Sequence, residues 1–330
     1  MSSAPTIPSF ESRLFQVGLI RRLDHWLNVI PYSPMVVEIA GEHVAAARWG
    51  KTRGNLEACS MEPLQVGSVM ASPVETNITQ PDSVRSVLRA VLSRVPDRGV
   101  PVALLVPDPV VRVFILPFDT LPRRAEDALP LLRWRLKKSV PFDVDDTVVS
   151  WMRQAGPHQG NLEVVAAIAR KGIIREYEEL LESLGARTSI VLSSTLSALP
   201  LLPERGATLL ARICGRTLTT AIVRGPSLCI YRATDLMAQA DVLDPKDLLE
   251  EIFPAIAYYQ DTWGGDIDRA HLSGFGTRER EFREALGQEV KFPVTPLAEA
   301  EGARELGSPA GDMLRQNLDA LVGWMSNGTS

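Results

Sequence analysis

Cysteine and histidine are scarce in this chain, and their scarcity narrows its chemistry early. The three cysteines, Cys59, Cys214 and Cys229, are odd in number and too widely spaced for a C-x-x-C site. Cys214 and Cys229 stand in strand-like apolar runs, where free thiols are commonly buried, which points to a reducing, cytoplasmic compartment. His25, His43, His158 and His271 form no H-x-x-x-H or H-E-x-x-H pattern, so a structural zinc site has no sequence support. No apolar run reaches the ~18 residues of a membrane span, and Met1-Ser2-Ser3-Ala4-Pro5 opens no signal-peptide core. The net charge of −5 carries no bias toward nucleic acid. Ser193-Ser194-Thr195 and Ser273 belong to no nucleophile motif and read as turn and cap residues.

What is present is an ordinary globular composition, 45% hydrophobic and 23% charged over 330 residues, enough for two domains or one large two-lobed body. Two strand–turn–strand segments stand about half a chain apart, each with a short polar turn holding a glycine. One runs from Met35 through Gly41 to Ala47, the other from Thr208 through Gly215 to Val223. Ahead of the first, Phe15, Leu19, Leu23, Trp26 and Ile30 recur at helical spacing with Arg13, Arg21 and Arg22 nearby, which predicts an amphipathic helix over 10–30 that packs on its own domain or touches a membrane surface. Further along, Pro101–Val106 reads as a strand buried on both faces. Helices are expected over 82–94, 122–138, 171–184, 245–263 and 311–325, strands over 144–153 and 162–169, and a linker over 199–206. Arg133, Arg135, Lys137 and Lys138 crowd one helix around Trp134. They read as a solvated face, or as a site for an acidic partner or anionic lipid, with Trp134 either core or anchor.

Four segments carry a family resemblance: the hairpin Val36–Ala47; Leu129–Asp143, a helix ending in Val140-Pro141-Phe142; Val164–Arg170 with Glu176–Gly185; and Leu248–Ile252 through Tyr258-Tyr259 and Asp266–Arg269 to Leu272-Ser273-Gly274-Phe275-Gly276. Over about 35–325 the chain resembles the PilM family of type IV pilus assembly proteins, related more distantly to the division actin FtsA and the cytoplasmic part of GspL. The resemblance implies an α/β, two-lobed actin-like (ribonuclease H-like) fold with a small α+β subdomain inserted in the first lobe. The expected division is a helical extension over 1–33, a first lobe over 34–198 with the insert over about 117–188, and a second lobe over 199–330.

A nucleotide site in that fold takes backbone N–H groups from glycine-bearing hairpins and an acid in each loop. The loops of this chain depart from that pattern. Glu38-Ile39-Ala40 stands where the family has Asp-Ile-Gly; Gly41 follows, then Glu42, which repels phosphate, and His43. In the second loop the expected Asp is Arg212 and the expected Gly is Cys214, ahead of Gly215; the third keeps Gly274 and Gly276 around Phe275. Glu38, Ala40, Gly41, Arg212, Cys214, Gly215, Gly274 and Gly276 are therefore read as a degenerate nucleotide cleft in a non-enzymatic scaffold. Glu38 and Arg212 are expected to pair across it, in place of metal and phosphate. ATP and Mg²⁺ remain the cofactors of the alternative, a working ATPase of the same fold; GspL-like and FtsA-like membrane-associated roles are the others. The resemblance further implies a cytoplasmic protein at the inner membrane, bound to the extended cytoplasmic tail of a PilN-like protein and near pilus motor or platform proteins. Leu104, Val106, Leu132, Leu136 and Phe142 are the apolar candidates for that tail, or ordinary core.

Overall fold

The computed structural model describes residues 33–50, 55–96, 99–158, 160–236 and 239–327. The helix expected over 10–30 lies outside them.

The first lobe begins as an antiparallel meander, β1 (Met35–Ile39), β2 (His43–Trp49) and β3 (Leu56–Pro63), followed by α1 (Pro81–Arg94) and β4 (Val102–Val106). Pro81 opens α1, where a missing N–H costs nothing, and Val84, Leu88 and Val91 form its buried stripe. The chain then builds a separate small layer from β5 (Arg112–Phe118), α2 (Ala125–Leu136), β6 (Thr147–Ala155) and β7 (Leu162–Arg170), with strand order β5-β7-β6. It returns through α3 (Lys171–Glu182) and β8 (Thr188–Ser193), giving a first-lobe sheet of order β3-β2-β1-β4-β8. The inserted layer is therefore earlier and shorter than the expected 117–188. β8 pairs in parallel with β4, Ala103 opposite Ile190, so α3 and β8 belong to the lobe and not to the insert. β1 and β4 are apolar along nearly their whole length because they are internal strands covered on both faces.

A short helix, α4 (Ser194–Ala198), leads to the second lobe. Here β9 (Ala207–Cys214), β10 (Thr217–Arg224) and β11 (Ser227–Asp235) form a second meander, followed by α5 (Pro245–Trp263), β12 (Arg269–Ser273), α6 (Glu279–Glu289) and β13 (Val294–Pro296). The sheet order, β11-β10-β9-β12-β13, repeats that of the first lobe. The segment expected as a linker joins α4 to β9, with its first half in the core through Leu199, Leu201 and Leu202 and Glu204, Arg205 and Gly206 exposed.

The chain ends in α7 (Glu301–Arg304), α8 (Ser308–Arg315) and α9 (Asp319–Asn327). The single helix expected over 311–325 is two, because Asn317 adopts a left-handed conformation (φ 59°), the one non-glycine among the described residues to do so. Beyond that break α9 packs in the core of the first lobe, where Leu321, Val322 and Trp324 join Met35 and Val36, in the same cluster as Leu297, Ala303 and Met313 before it. Trp324 Nε1 donates to Ser33 O at 2.8 Å. Gly323 makes the approach to α4 possible, since a Cβ there would lie 2.0 Å from Ser197 O. The expected second lobe over 199–330 is thus corrected at its end: from Leu297 onward the chain is second-lobe in sequence and first-lobe in packing. Among the described residues no helix is long and apolar enough to cross a membrane.

Candidate functional site

The two meanders face one another across a cleft of about 630 Å³, lined among others by Glu42, His43, Arg212, Cys214, Gly215, Gly274, Gly276, Arg278, Asn317 and Asp319. At its floor stands Arg212, on β9 between Thr219 of β10 and Ser273 of β12. It is 3% exposed. Three carboxylates converge on it. Glu38, near the end of β1, places Oε1 3.5 Å from Arg212 Nη2, so the expected pair forms. Asp319, the first residue of α9, takes the guanidinium as a fork, Nε to Oδ2 at 2.7 Å and Nη2 to Oδ1 at 3.2 Å. Asp108, just past the end of β4, holds Oδ2 3.8 Å from Nη1. One cation from the second lobe thus meets two acids of the first and one from the returning helix.

Each acid is positioned by further hydrogen bonds. Ser194 Oγ donates to Glu38 Oε1 at 2.6 Å, and His43 Nε2 lies 3.5 Å from Glu38 Oε2. Asp108 accepts from Thr195 N (2.9 Å), Thr195 Oγ1, Thr219 Oγ1 (2.7 Å) and Tyr231 Oη (3.0 Å). Burial alone raises the Glu38 carboxyl, but His43, Arg212 and Ser194 outweigh it and hold the group below the ordinary carboxylate value. Burial likewise opposes the Arg212 charge, and Asp319, Glu38 and Asp108 overcome it, lifting the group well above its ordinary value. The thiol of half-buried Cys214 beside them is pushed up to about 12 by desolvation and stays protonated.

The phosphate end of the cleft is also altered. Glu42 reaches across its mouth, Oε1 accepting from Gln239 Nε2 at 3.1 Å; a Cβ on Gly215 would lie 3.7 Å from the same oxygen. The second cation of the cleft, Arg278, is committed elsewhere: Nη1 donates to Ala240 O and Leu243 O, while Nε and Nη2 donate to Glu281. Gly274 is required by geometry, with φ of 86° and a virtual Cβ 1.8 Å from Ile213 O. Phe275, between the glycines, is buried in the second-lobe core, its ring centroid 4.9 Å from that of Phe282. Ala40 N donates to His43 O, closing the first turn, and Gly41 follows it with room for a Cβ. A Mg²⁺-bound triphosphate does not fit this donor set. The acids that would order the metal already surround a guanidinium, and a carboxylate lies at the phosphate end. Among the described residues no group of His, Cys, Asp and Glu has the geometry to hold a metal ion.

The apolar candidates for a partner are placed elsewhere. Leu104 and Val106 are fully buried on β4, an internal strand, and Leu132 and Leu136 form the inward stripe of α2; only Phe142 is half-buried. Four of the five are therefore core, because strand burial on both faces and the inner stripe of a helix look the same in sequence as a groove wall. Sequence reasoning missed Asp108, Asp319, Thr219 and Tyr231. Asp108 sits between Pro107 and Pro109, whose signal is the end of a strand, and Asp319 sits inside an apparently continuous helix.

Two lobes of like strand order, each led by a hairpin that faces the other across a cleft, define the actin-like ATPase fold. One solved structure shares this fold over nearly the whole chain. A chain of the PilM-PilN type IV pilus biogenesis complex aligns with TM-score 0.73 and 14% identity, over 91% of this chain and 100% of that one. A Bacteroides thetaiotaomicron VPI-5482 protein with actin-like ATPase fold is more remote (TM-score 0.47, 9% identity, 83% and 95% covered). So is the cytoplasmic domain of EpsL, an inner membrane component of the type II secretion system of Vibrio cholerae (0.46, 13%, 72% and 80%). No protein-family model and no curated protein matches the chain.

Proposed function

We propose that this protein is a nucleotide-independent adaptor of the actin-like class. It works at the cytoplasmic face of the inner membrane in a type IV pilus assembly platform, holding the cytoplasmic tail of a PilN-like membrane protein. The observation that carries the adaptor reading over an ATPase is Arg212, whose guanidinium is held by Asp319 and flanked by Glu38 and Asp108 on the floor of the cleft. An arginine there supplies the positive charge that a metal would otherwise bring, and it does so permanently. The choice of partner rests on the likeness, over 91% of the chain, to a member of a PilM-PilN complex.

The test is titration of the full chain with a synthetic peptide of the tail of a PilN-like protein from the same genome, with and without Mg-ATP, beside thermal melts in Mg-ATP. Tail binding of equal affinity in both conditions and an unmoved melting temperature are expected. Stabilisation by Mg-ATP that is lost on altering Gly274 or Gly276 would show a working nucleotide site. A tail that fails to bind in either condition would remove the partner.

A further inference from the structure

Helix α2 turns Ala128, Leu132 and Leu136 inward over the inserted sheet. Its opposite face carries Leu131, 43% exposed, and Trp134, 72% exposed. Among the described residues the other indoles are buried, as Trp49 and Trp324 are, or half-buried, as Trp151 and Trp263 are. Leu131 and Trp134 lie one turn apart on this outer face, with Pro130 and Arg135 beside them and Lys137 and Lys138 following just past the helix end, all exposed.

The cations alone have an ordinary explanation, since positive side chains favour the C-terminal turn of a helix. That does not account for an indole left in water beside them. Nor are the cations neutralised locally: among the described residues no carboxylate comes within ion-pair range of Arg135, Lys137 or Lys138. In the following turn Asp143 accepts from the Asp145 amide and Asp146 pairs with Arg170 at 3.8 Å. Over 112–170 the inserted layer holds nine Arg and Lys against seven Asp and Glu, whereas the whole chain has a net charge of −5, so the positive potential is local.

An indole and a leucine on the crest of a single outward-facing helix, with lysine stems alongside, match a planar anionic lipid surface. The ring lies at headgroup depth and the ammonium groups reach the phosphates. An acidic peptide would instead be gripped in a groove or along a strand edge, which a lone helix crest does not offer. We propose that the outer face of α2, with Leu131 and Trp134, together with Lys137 and Lys138 just past its end, docks on an anionic membrane surface. This rests on the exposed face alone and not on the adaptor reading.

The test is co-sedimentation of the full chain with vesicles of phosphatidylcholine alone or mixed with phosphatidylglycerol. Binding confined to the anionic vesicles and weakened by salt is expected. Each cation near such a surface contributes about fivefold to partitioning, so K137E/K138E should lower it by about 25-fold or more. L131A/W134A should lower it severalfold. Both pairs are exposed, so melting temperature and tail-peptide binding should stay at parent values, which separates this result from a failure of the adaptor reading. Brominated lipid should quench the parent's fluorescence and quench W134F less. Equal binding to both vesicle types would overturn the proposal, as would parent-like binding by both double variants, which would assign the contact to another part of the chain. Binding to polyglutamate but not to vesicles would overturn it in favour of an acidic protein.

Discussion

Replacing Arg212 by methionine tests the physical account of the cleft directly. The substitution keeps most of the side-chain volume and removes the charge, leaving Glu38, Asp108 and Asp319 facing one another with no cation between them. Breaking a buried ion pair by deleting one partner costs about 3–5 kcal/mol, because the remaining charge keeps its desolvation penalty. With an unfolding entropy of about 2.1 cal/mol/K per residue, a cooperative chain of 330 residues should lose roughly 4–7 °C in Tm. The loss should depend on pH, with a sign fixed by the carboxylates. In the parent, Glu38 is held below its unfolded value, so its contribution is complete above about pH 4.3 and disappears as the pH falls through the lower folded value. In Arg212→Met the cation is gone and burial dominates, so the carboxylates are tolerated best when protonated. The Tm gap between parent and variant should therefore narrow from pH 8 to pH 5. Arg212→Met/Asp319→Asn should melt above Arg212→Met, since it strands one charge fewer. Calorimetry across that pH range is the assay. A Tm loss under about 1 °C, or a gap that widens toward acid, would refute the claim that Arg212 is the counter-charge of three buried acids.

Three further outcomes follow from the same geometry. Gly274→Ala should destabilise by more than about 2 kcal/mol, because its Cβ would collide with Ile213 O, whereas Gly276→Ala meets no atom and should cost only the backbone strain of about 1 kcal/mol; denaturant melts of the two separate collision from strain. Gly323→Ala should loosen the α4–α9 contact, seen as faster amide exchange in α9 with the second lobe unchanged, since the new Cβ would press on Ser197 O and Ala198 Cα. Asp108→Asn should cost about 2–3 kcal/mol despite removing a charge. Oδ1 can keep the Thr195 amide and Tyr231, but an NH₂ in place of Oδ2 obliges both threonine hydroxyls to accept and turns a donor instead of a negative charge toward Arg212 Nη1.

Much of the fold was legible in the chain. The hairpins at Gly41 and Gly215, the helix over 245–263 and the buried run at 102–106 follow from local periodicity and turn chemistry, which act over a few residues. Where the reading slipped, the deciding contact was distant. The return of β8 to the first-lobe sheet depends on its partner β4, and the burial of Leu199–Leu202 depends on α9, more than a hundred residues away. The break at Asn317 left no proline or glycine as a signal.

The sequence by itself set Glu38 and Arg212 on the leading strands of two hairpins, and its resemblance to a known family implied that these hairpins face one another, where two opposite charges would pair. The pairing follows from the cost of an isolated buried ion. Tertiary structure alone decided that the closest partner of Arg212 would be Asp319, delivered by a helix that crosses back between the lobes, with Asp108 drawn in from the end of β4. It also decided that Trp134 points to solvent and Leu132 to the core, though both lie on one short helix. Local pattern gives a side chain its face on an element, and the packing of elements against one another gives that face its neighbours.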